Sequence, residues 1–198
     1  QVEHAYMILE AHRFTGMVVS PYLPFIKESL IFFDEHYQKR RVMRGEKPLD
    51  DHDKLVIFPS TSCESYRGAK NPSDLVSGLA ACIESLLEQK IGTDADREYF
   101  AEYLKRVPEL AFGEAENGAR IILPAASHKR YGNCECPQFY PLFPFDRFSL
   151  GRDEMNLVEF PFGPVTGTAA KKLAVEHPVI DRSLKREVIR QMIITGSD

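Results

Sequence analysis

Apolar residues recur at helical spacing in the N-terminal part of the chain. Residues 2–15 carry this pattern and are followed by Gly16, which readily adopts the left-handed conformation that ends helices. Ser20 and Pro21 then provide a helix N-cap and a proline at the first helical position. The two helices are predicted to form an αα-hairpin. One face of the second helix is expected to consist of Tyr22, Phe25, Ile26, Ser29, Leu30, Phe33 and Tyr37.

A second pair of helices is predicted in the middle of the chain. Ser73 or Asp74 is expected to cap the first of them, and Gly92 is expected to end it. Thr93 and Asp96 have the spacing of a capping box and start the next helix. A second αα-hairpin follows from this pattern. In the first helix of this second pair, the apolar positions that keep the helical period are Leu75, Leu79, Cys82, Ile83, Leu86 and Leu87.

Four segments lack a helical period. Residues 39–53 are charged and are predicted to form a solvated loop. Residues 55–58 are apolar and are read either as a strand or as a buried lead-in to the polar loop that follows, residues 60–74. Residues 109–124 have turn signals and strand composition, which predict a small β-excursion. The expected fold class is therefore mainly α, with helical hairpins and small β-excursions.

Composition and charge narrow the range of partners. The chain has 198 residues, 43% hydrophobic and 27% charged, which is typical of a globular protein. The net charge of −4 and the pI near 5.9 give no electrostatic reason to expect nucleic acid or an anionic membrane as partner. We expect neither partner, and a neutral substrate fits better. No glycine-rich phosphate loop is present, and no cofactor is expected.

Glu64 is the strongest candidate for a catalytic group. It follows a short apolar run and is flanked by Ser62, Ser65 and Tyr66, which offer hydrogen bonds. Partial burial makes a carboxyl group hold its proton near neutral pH, as a general acid requires. We therefore expect Glu64 to be half-buried and to act as a proton donor. The structural alternative is that it stabilises a turn.

A second polar segment, residues 127–138, offers nearly every kind of hydrogen-bonding group, and residues 139–150 are aromatic and apolar. Polar groups beside aromatic faces suit a sugar. Asp74 is expected to cap its helix and to belong to the same site. The predicted substrate-binding residues are Ser62, Tyr66, Asn71, Asp74, Asn133, Glu135, Gln138 and Tyr140.

Two other chemistries have weaker support. His128, Cys134 and Cys136 lack the two-by-two ligand spacing of a zinc site, and no metal is expected. Cys63 has no local signature of a thiol protease around it. The pairing of the four cysteines and the redox compartment are left open by the sequence.

Three segments resemble part of the catalytic barrel of family-95-like glycoside hydrolases and related uncharacterised bacterial barrel proteins. Tyr22–Ile26 together with Phe32–Tyr37 resembles the helix before the active-site loop. Pro59–Ser65 resembles the Pro-Ser-Thr-Ser-Pro-Glu-Asn motif of that family, and Phe139–Phe145 resembles a later aromatic segment. The resemblance covers about residues 2–157.

The resemblance implies helical hairpins of an (α/α)6 barrel whose loops at one end build a sugar site. In that family the motif glutamate is the general acid of an inverting mechanism, and Glu64 stands at its position. Inversion needs a second carboxyl roughly 6.5–9.5 Å away. The same resemblance implies a secreted or periplasmic location.

The chain also departs from the family pattern. Cys63 replaces the motif proline and Ser65 replaces the asparagine, the chain has no Trp, and no segment matches the catalytic base. About six helices are predicted where a full barrel has twelve. We therefore expect the chain to be either a fragment of a larger enzyme or a divergent, inactive relative. Residues 1–157 are expected to form a partial barrel and residues 158–198 a C-terminal helical segment, with helices at 168–176 and 182–194. The remainder of the same barrel would then be a partner.

Three functional hypotheses follow. The first is an inverting glycoside hydrolase that acts on an oligosaccharide or polysaccharide, with Glu64 as general acid. The second is a carbohydrate-binding or scaffolding helical domain without catalysis, motivated by the missing base. The third is a structural interaction module that uses its aromatic surface.

Overall fold

A computed structural model describes residues 1–114, 120–132 and 135–148. The turn expected at residues 117–118 lies outside these ranges. So do Asn133, Cys134 and the C-terminal segment 158–198 with its two predicted helices.

Four α-helices form most of the regular structure in the described ranges. They are α1 (Val2–Thr15), α2 (Leu23–Met43), α3 (Ser73–Glu88) and α4 (Asp94–Arg106). Gly16 ends α1 in the left-handed conformation, as predicted. The capping box of α4 is also confirmed, because Thr93 Oγ1 accepts the Asp96 N–H at 3.2 Å and Asp96 Oδ2 accepts the Thr93 N–H at 2.9 Å.

Helix α2 differs from the prediction at both ends. A 3-10 turn at Ser20–Tyr22 precedes it, and the helix continues to Met43, into the segment expected to be a loop. Ile26 and Leu30 are buried as predicted, whereas Phe25 is exposed. Phe25 lies about 100° around the helix from Ile26, and the core covers the side of Ile26. Tyr22, which precedes the helix, is exposed as well.

Helix α3 is the centre of the core. Eleven of its sixteen residues are buried, and it packs against α1 on one side and α4 on the other. The prediction that Ser73 or Asp74 is the N-cap of α3 is wrong, because the N-cap is Pro72. The Ser73 hydroxyl instead donates to the carbonyls of Pro124 and Pro137, at 3.1 and 2.8 Å. This serine therefore joins the start of α3 to two later segments of the chain, at Pro124 and Pro137.

Gly78 lies where α3 approaches its neighbours most closely. A Cβ atom at this position would lie 2.7 Å from a Val2 methyl and 2.8 Å from the ring of Phe145. Overpacking of a core costs about 1–3 kcal/mol, and the better helix propensity of alanine returns only about 1 kcal/mol. We expect Gly78→Ala to lower the free energy of unfolding by up to about 2 kcal/mol in urea denaturation.

Gly132→Ala is the matched control for this prediction. An added Cβ meets no atom within 4 Å there, so the variant should be neutral or slightly more stable than the wild type. Equal stabilisation by both substitutions would contradict the close packing at Gly78.

Antiparallel strands cover one end of the helices. The strands are β1 (Ser60–Ser62), β2 (Tyr66–Pro72), β3 (Phe112–Glu114), β4 (Arg120–Ile122), β5 (Ala125–Ser127) and β6 (Arg130–Tyr131). In the larger sheet β2 pairs with β1, β5 and β6, and β3 pairs with β4 separately. The pairing of β3 with β4 confirms the predicted β-excursion at 109–124.

The segment predicted as a polar loop is a β-hairpin instead. Strands β1 and β2 pair antiparallel, with a bulge between Ser60 and Thr61 that breaks the alternation of buried and exposed positions. A sequence without that alternation carries no strand signal. Residues 55–57 are buried but form no strand, so the lead-in alternative is correct.

The described part of the chain is mainly helical with antiparallel strands, which confirms the expected fold class at that level. No closed ring of helices is formed by the described residues. None of the described helices has the length and apolar character that a membrane span needs.

Candidate functional site

The β1–β2 hairpin ends in a tight turn that carries Glu64. The Ser65 N–H donates to the Ser62 carbonyl at 2.9 Å, and the two residues between them, Cys63 and Glu64, have φ of 45° and 57°. This is a type I′ geometry, which usually needs Asn or Gly at both positions. Each side chain with a Cβ costs about 1 kcal/mol in this conformation. We call residues 62–65 the Glu64 turn.

Asp74 holds the Glu64 turn in place from the first turn of α3. Its carboxylate accepts the Ser62 hydroxyl at 2.8 Å and the Cys63 N–H at 3.2 Å. The Cys63 thiol lies 3.4 Å from the same carboxylate. The strained turn is therefore tied to the most buried helix of the protein through one side chain, which explains how the unfavourable conformation is maintained.

Burial determines the protonation of this cluster. Desolvation raises the pKa of Asp74, although the hydrogen bonds from Ser62 and Cys63 act in the opposite direction. Desolvation and then the charge of Asp74 raise the pKa of the Cys63 thiol far above its ordinary value. Cys63 is thus a protonated hydrogen-bond donor at neutral pH and not a thiolate nucleophile.

Two tyrosines and one further carboxyl surround the cluster. Burial, followed by the neighbouring Cys63, raises the pKa of Tyr140. Burial also raises the pKa of Tyr37 on α2, although the nearby Ser60 at the start of β1 acts in the opposite direction. The charge of Glu135 contributes to the raised pKa of Cys63, which places this carboxylate near the turn. Residues from α2, α3, the hairpin and the 135–140 segment thus meet at one place.

Glu64 itself is exposed, not half-buried as expected. It lies in the connection between β1 and β2, residues 63–65.

Three predicted substrate-binding residues have no surface for a substrate. Ser62, Tyr66 and Gln138 are each 0% exposed. The ring of Tyr66 packs edge-on against His128, with centroids 4.8 Å apart, and lies 5.2 Å from the ring of Tyr131. All three side chains are enclosed by the protein, and Ser62 and Tyr66 are part of the hairpin itself.

Asn71 also has a structural role in place of a binding one. It has a φ of 48°, its Oδ1 accepts the Ile57 N–H at 2.9 Å, and its own N–H donates to the Ile57 carbonyl at 3.0 Å. Asn71 thereby satisfies both backbone groups of a buried residue that belongs to no strand.

The remaining predicted residues fall into two groups. Glu135 is exposed and Tyr140 is half-buried, so both are accessible near the turn. Asn133 lies outside the described residues. Sequence reasoning missed Tyr37 and the donor role of Cys63, because neither residue type marks a turn or a site on its own.

Metal and thiol chemistry find no support in the described ranges. No group of three or more His, Cys, Asp or Glu side chains there has the arrangement of a metal site. Cys63 and Cys82 are free thiols, and Cys82 donates to the Val2 carbonyl at 3.3 Å within the core.

Comparison with protein-family models, with curated proteins and with solved structures found no match to this chain. Function is therefore inferred from the residues and the geometry of the Glu64 turn.

Proposed function

We propose that this chain takes part in the hydrolysis of an oligosaccharide or polysaccharide by an inverting mechanism, with Glu64 as the general acid. The supporting observation is the Glu64 turn: two consecutive non-glycine residues with positive φ, held by hydrogen bonds to a buried carboxylate. Backbone strain of this kind concentrates at functional sites, where the conformation orients a reactive group.

The turn presents the Glu64 carboxyl to an incoming molecule. It is exposed, so a glycosidic oxygen can approach it without any rearrangement of the core. Enclosure by the bound sugar would remove water from the carboxyl and favour its protonated form, as proton donation requires. Asp74 is a positioning residue in this proposal, because its contacts are with Ser62 and Cys63.

Inversion also needs a group that activates water. Glu135 is assigned this role in our proposal, since its exposed carboxylate lies near enough to the Cys63 thiol to raise the pKa of that thiol. Tyr140, which lies next to Cys63, is assigned the role of a hydrogen-bond donor to a sugar hydroxyl.

The proposal includes the architecture. The consecutive helix pairs α1–α2 and α3–α4 are each in contact, as in the helical hairpins of an (α/α)6 barrel. The Glu64 turn lies in the connection between the two pairs, which is where the loops of such a barrel form its binding site. The remainder of the barrel is the partner that this proposal requires.

Glu64→Gln provides the main test, because it removes the proton while it keeps the size and the backbone strain. We expect hydrolysis of oligosaccharides to fall about 100-fold or more, the usual contribution of a general acid. Hydrolysis of glycosyl fluorides should change little, because fluoride leaves without protonation. The rates are measured over a panel of oligosaccharides and the matching fluorides, with the full protein to which the chain belongs.

Two variants serve as controls. Glu28→Gln changes another exposed glutamate, on α2, and should leave both rates unchanged. Glu64→Gly should lose the oligosaccharide activity while it gains about 1 kcal/mol of stability, because glycine has no penalty at positive φ. An equal fall with both kinds of substrate, or no fall with either, would remove Glu64 from the role of acid.

A carbohydrate-binding domain without catalysis is the second candidate. It is favoured by the exposed ring of Tyr131, which is 37% accessible and is backed by Tyr66, because such a face stacks on sugar rings. This alternative predicts saturable shifts in an NMR titration with oligosaccharides and no turnover of either substrate type.

A further inference from the structure

A cavity lies between α3, the end of α4 and the β3–β4 pair, away from the Glu64 turn. Its volume is about 530 Å³. This is within the range of about 300–1,000 Å³ that is typical of small-molecule sites. We call it the α3 cavity.

The walls of the α3 cavity are largely apolar. Helices α3 and α4 contribute aliphatic side chains, and the segments after α4 contribute two aromatic rings. A molecule that enters it therefore needs an apolar body to replace water against these surfaces. The main apolar residues are Val76, Ala80, Val107, Leu110, Phe112 and Phe148.

One hydroxyl in this wall lacks a protein partner. Ser77 lines the cavity and is only 1% exposed, and its Oγ has no hydrogen bond to any of the described residues. A buried hydroxyl without a partner is unfavourable, and a native protein rarely keeps one without a reason. A bound group that donates or accepts a hydrogen bond would satisfy it.

Three of the four charged side chains around the cavity already interact with another side chain. Arg147 forms an ion pair with Glu84. The guanidinium of Arg120 lies over the ring of Phe112, 3.6 Å from its centroid. Glu109 is exposed to water at the rim. The two positive and two negative side chains balance, so the lining favours a neutral ligand over an ion.

From these observations we propose that the α3 cavity binds a neutral small molecule with an apolar ring and a hydroxyl group, and that the hydroxyl pairs with Ser77 Oγ. This site is independent of the proposed hydrolytic function, because none of its lining residues belongs to the Glu64 turn.

The test uses benzyl alcohol as the probe, with toluene as its match without a hydroxyl. In a ¹⁵N NMR titration of the full chain, benzyl alcohol should shift the amide signals of Val76, Ala80 and Phe112 with saturation. It should bind about threefold to tenfold more tightly than toluene, the gain expected from one neutral hydrogen bond. Benzoate and benzylamine, which carry opposite charges, should bind more weakly than benzyl alcohol.

Ser77→Ala separates the hydrogen bond from the apolar contacts. The variant should bind benzyl alcohol and toluene equally, with the affinity that the wild type has for toluene. It should fold, since only an unpaired hydroxyl is removed. Ser85→Ala is the matched control, because Ser85 is a buried serine on the same helix that already accepts Gln89 Nε2 at 2.7 Å and lies outside the cavity. Its preference for benzyl alcohol should equal that of the wild type.

Any one of three results would overturn the proposal. The first is an absence of saturable shifts at the cavity, and the second is tighter binding of benzoate or benzylamine than of benzyl alcohol. The third is an unchanged preference for benzyl alcohol in Ser77→Ala.

Discussion

Asp34→Ala is expected to lower the free energy of unfolding by about 3 kcal/mol, more than any other single change considered. Asp34 is only 2% exposed and lies on α2. Its carboxylate accepts Arg106 Nη2 at 2.5 Å and the Tyr99 hydroxyl at 2.8 Å, both from α4. It also accepts Gln38 Nε2 at 2.7 Å. One buried charge thus links two helices.

The size of the effect comes from the partners that the substitution would leave behind. Burial alone would lower the pKa of Arg106, but the hydrogen bond and charge of Asp34 raise it. Removal of one member of a buried pair costs about 3–5 kcal/mol, because the other charge remains without compensation. The Arg106 side chain is 23% exposed and can partly rehydrate, so the lower end of this range is expected.

Chemical denaturation of three variants tests this network. Glu35→Ala removes the adjacent, exposed carboxylate and should change stability by less than about 0.5 kcal/mol. Arg106→Ala should be destabilising as well, and the Asp34/Arg106 double variant should cost clearly less than the sum of the single variants. Additive effects would show that the two side chains do not act as a pair.

Asp74→Ala is expected to cost about 2–3 kcal/mol and to release the Glu64 turn. The substitution removes the acceptor of the Ser62 hydroxyl and of the Cys63 N–H, two groups that have limited access to water. The positive φ at Cys63 then loses its compensating contacts. NMR should show larger shifts at residues 62–65 than elsewhere, and the oligosaccharide activity should fall with the loss of order.

Asp94→Ala is the matched control for this prediction. Asp94 also lies in the first turn of a helix, but its side chain is 98% exposed and it pairs only with Arg97. Its removal should cost less than about 1 kcal/mol. A similar loss of stability in Asp74→Ala and Asp94→Ala would mean that Asp74 acts through the dipole of its helix and not through the turn.

The raised pKa of Asp74 also predicts a dependence of stability on pH. Below the ordinary value of 3.8, both the folded and the unfolded states hold the proton. Between 3.8 and the raised pKa only the folded state holds it, so the free energy of unfolding contributed by this group falls as pH rises. Asp74→Asn should remove this slope. If Asp74→Asn leaves the slope unchanged, the pH dependence of stability comes from other groups.

Local patterns in the sequence were sufficient for the helices. Gly16 as a helix end and the Thr93–Asp96 capping box depend on residues within one turn of each other, and both are confirmed. The identity of α3 as a buried helix follows from its apolar period for the same reason. The mainly helical fold class was therefore available from the sequence.

The candidate site was predictable only in part. The sequence directed attention to residues 60–74 and to Glu64, but the burial of Ser62, Tyr66 and Gln138 results from strands that pair across gaps in the chain. The burial of a side chain in a sheet depends on which strand covers it, and no local pattern records that choice. For the same reason Glu64 was expected to be half-buried and is exposed.

The sequence by itself determined that four helices form and fixed the end of α1 and the start of α4, because capping and helical period act over a few neighbouring residues. Only the tertiary structure decided the role of Asp74. Its carboxylate bonds Ser62 and Cys63, which lie 12 and 11 positions away in the sequence. That choice depends on how the hairpin packs on α3, and it converts a polar segment into a strained turn that presents Glu64 to the solvent.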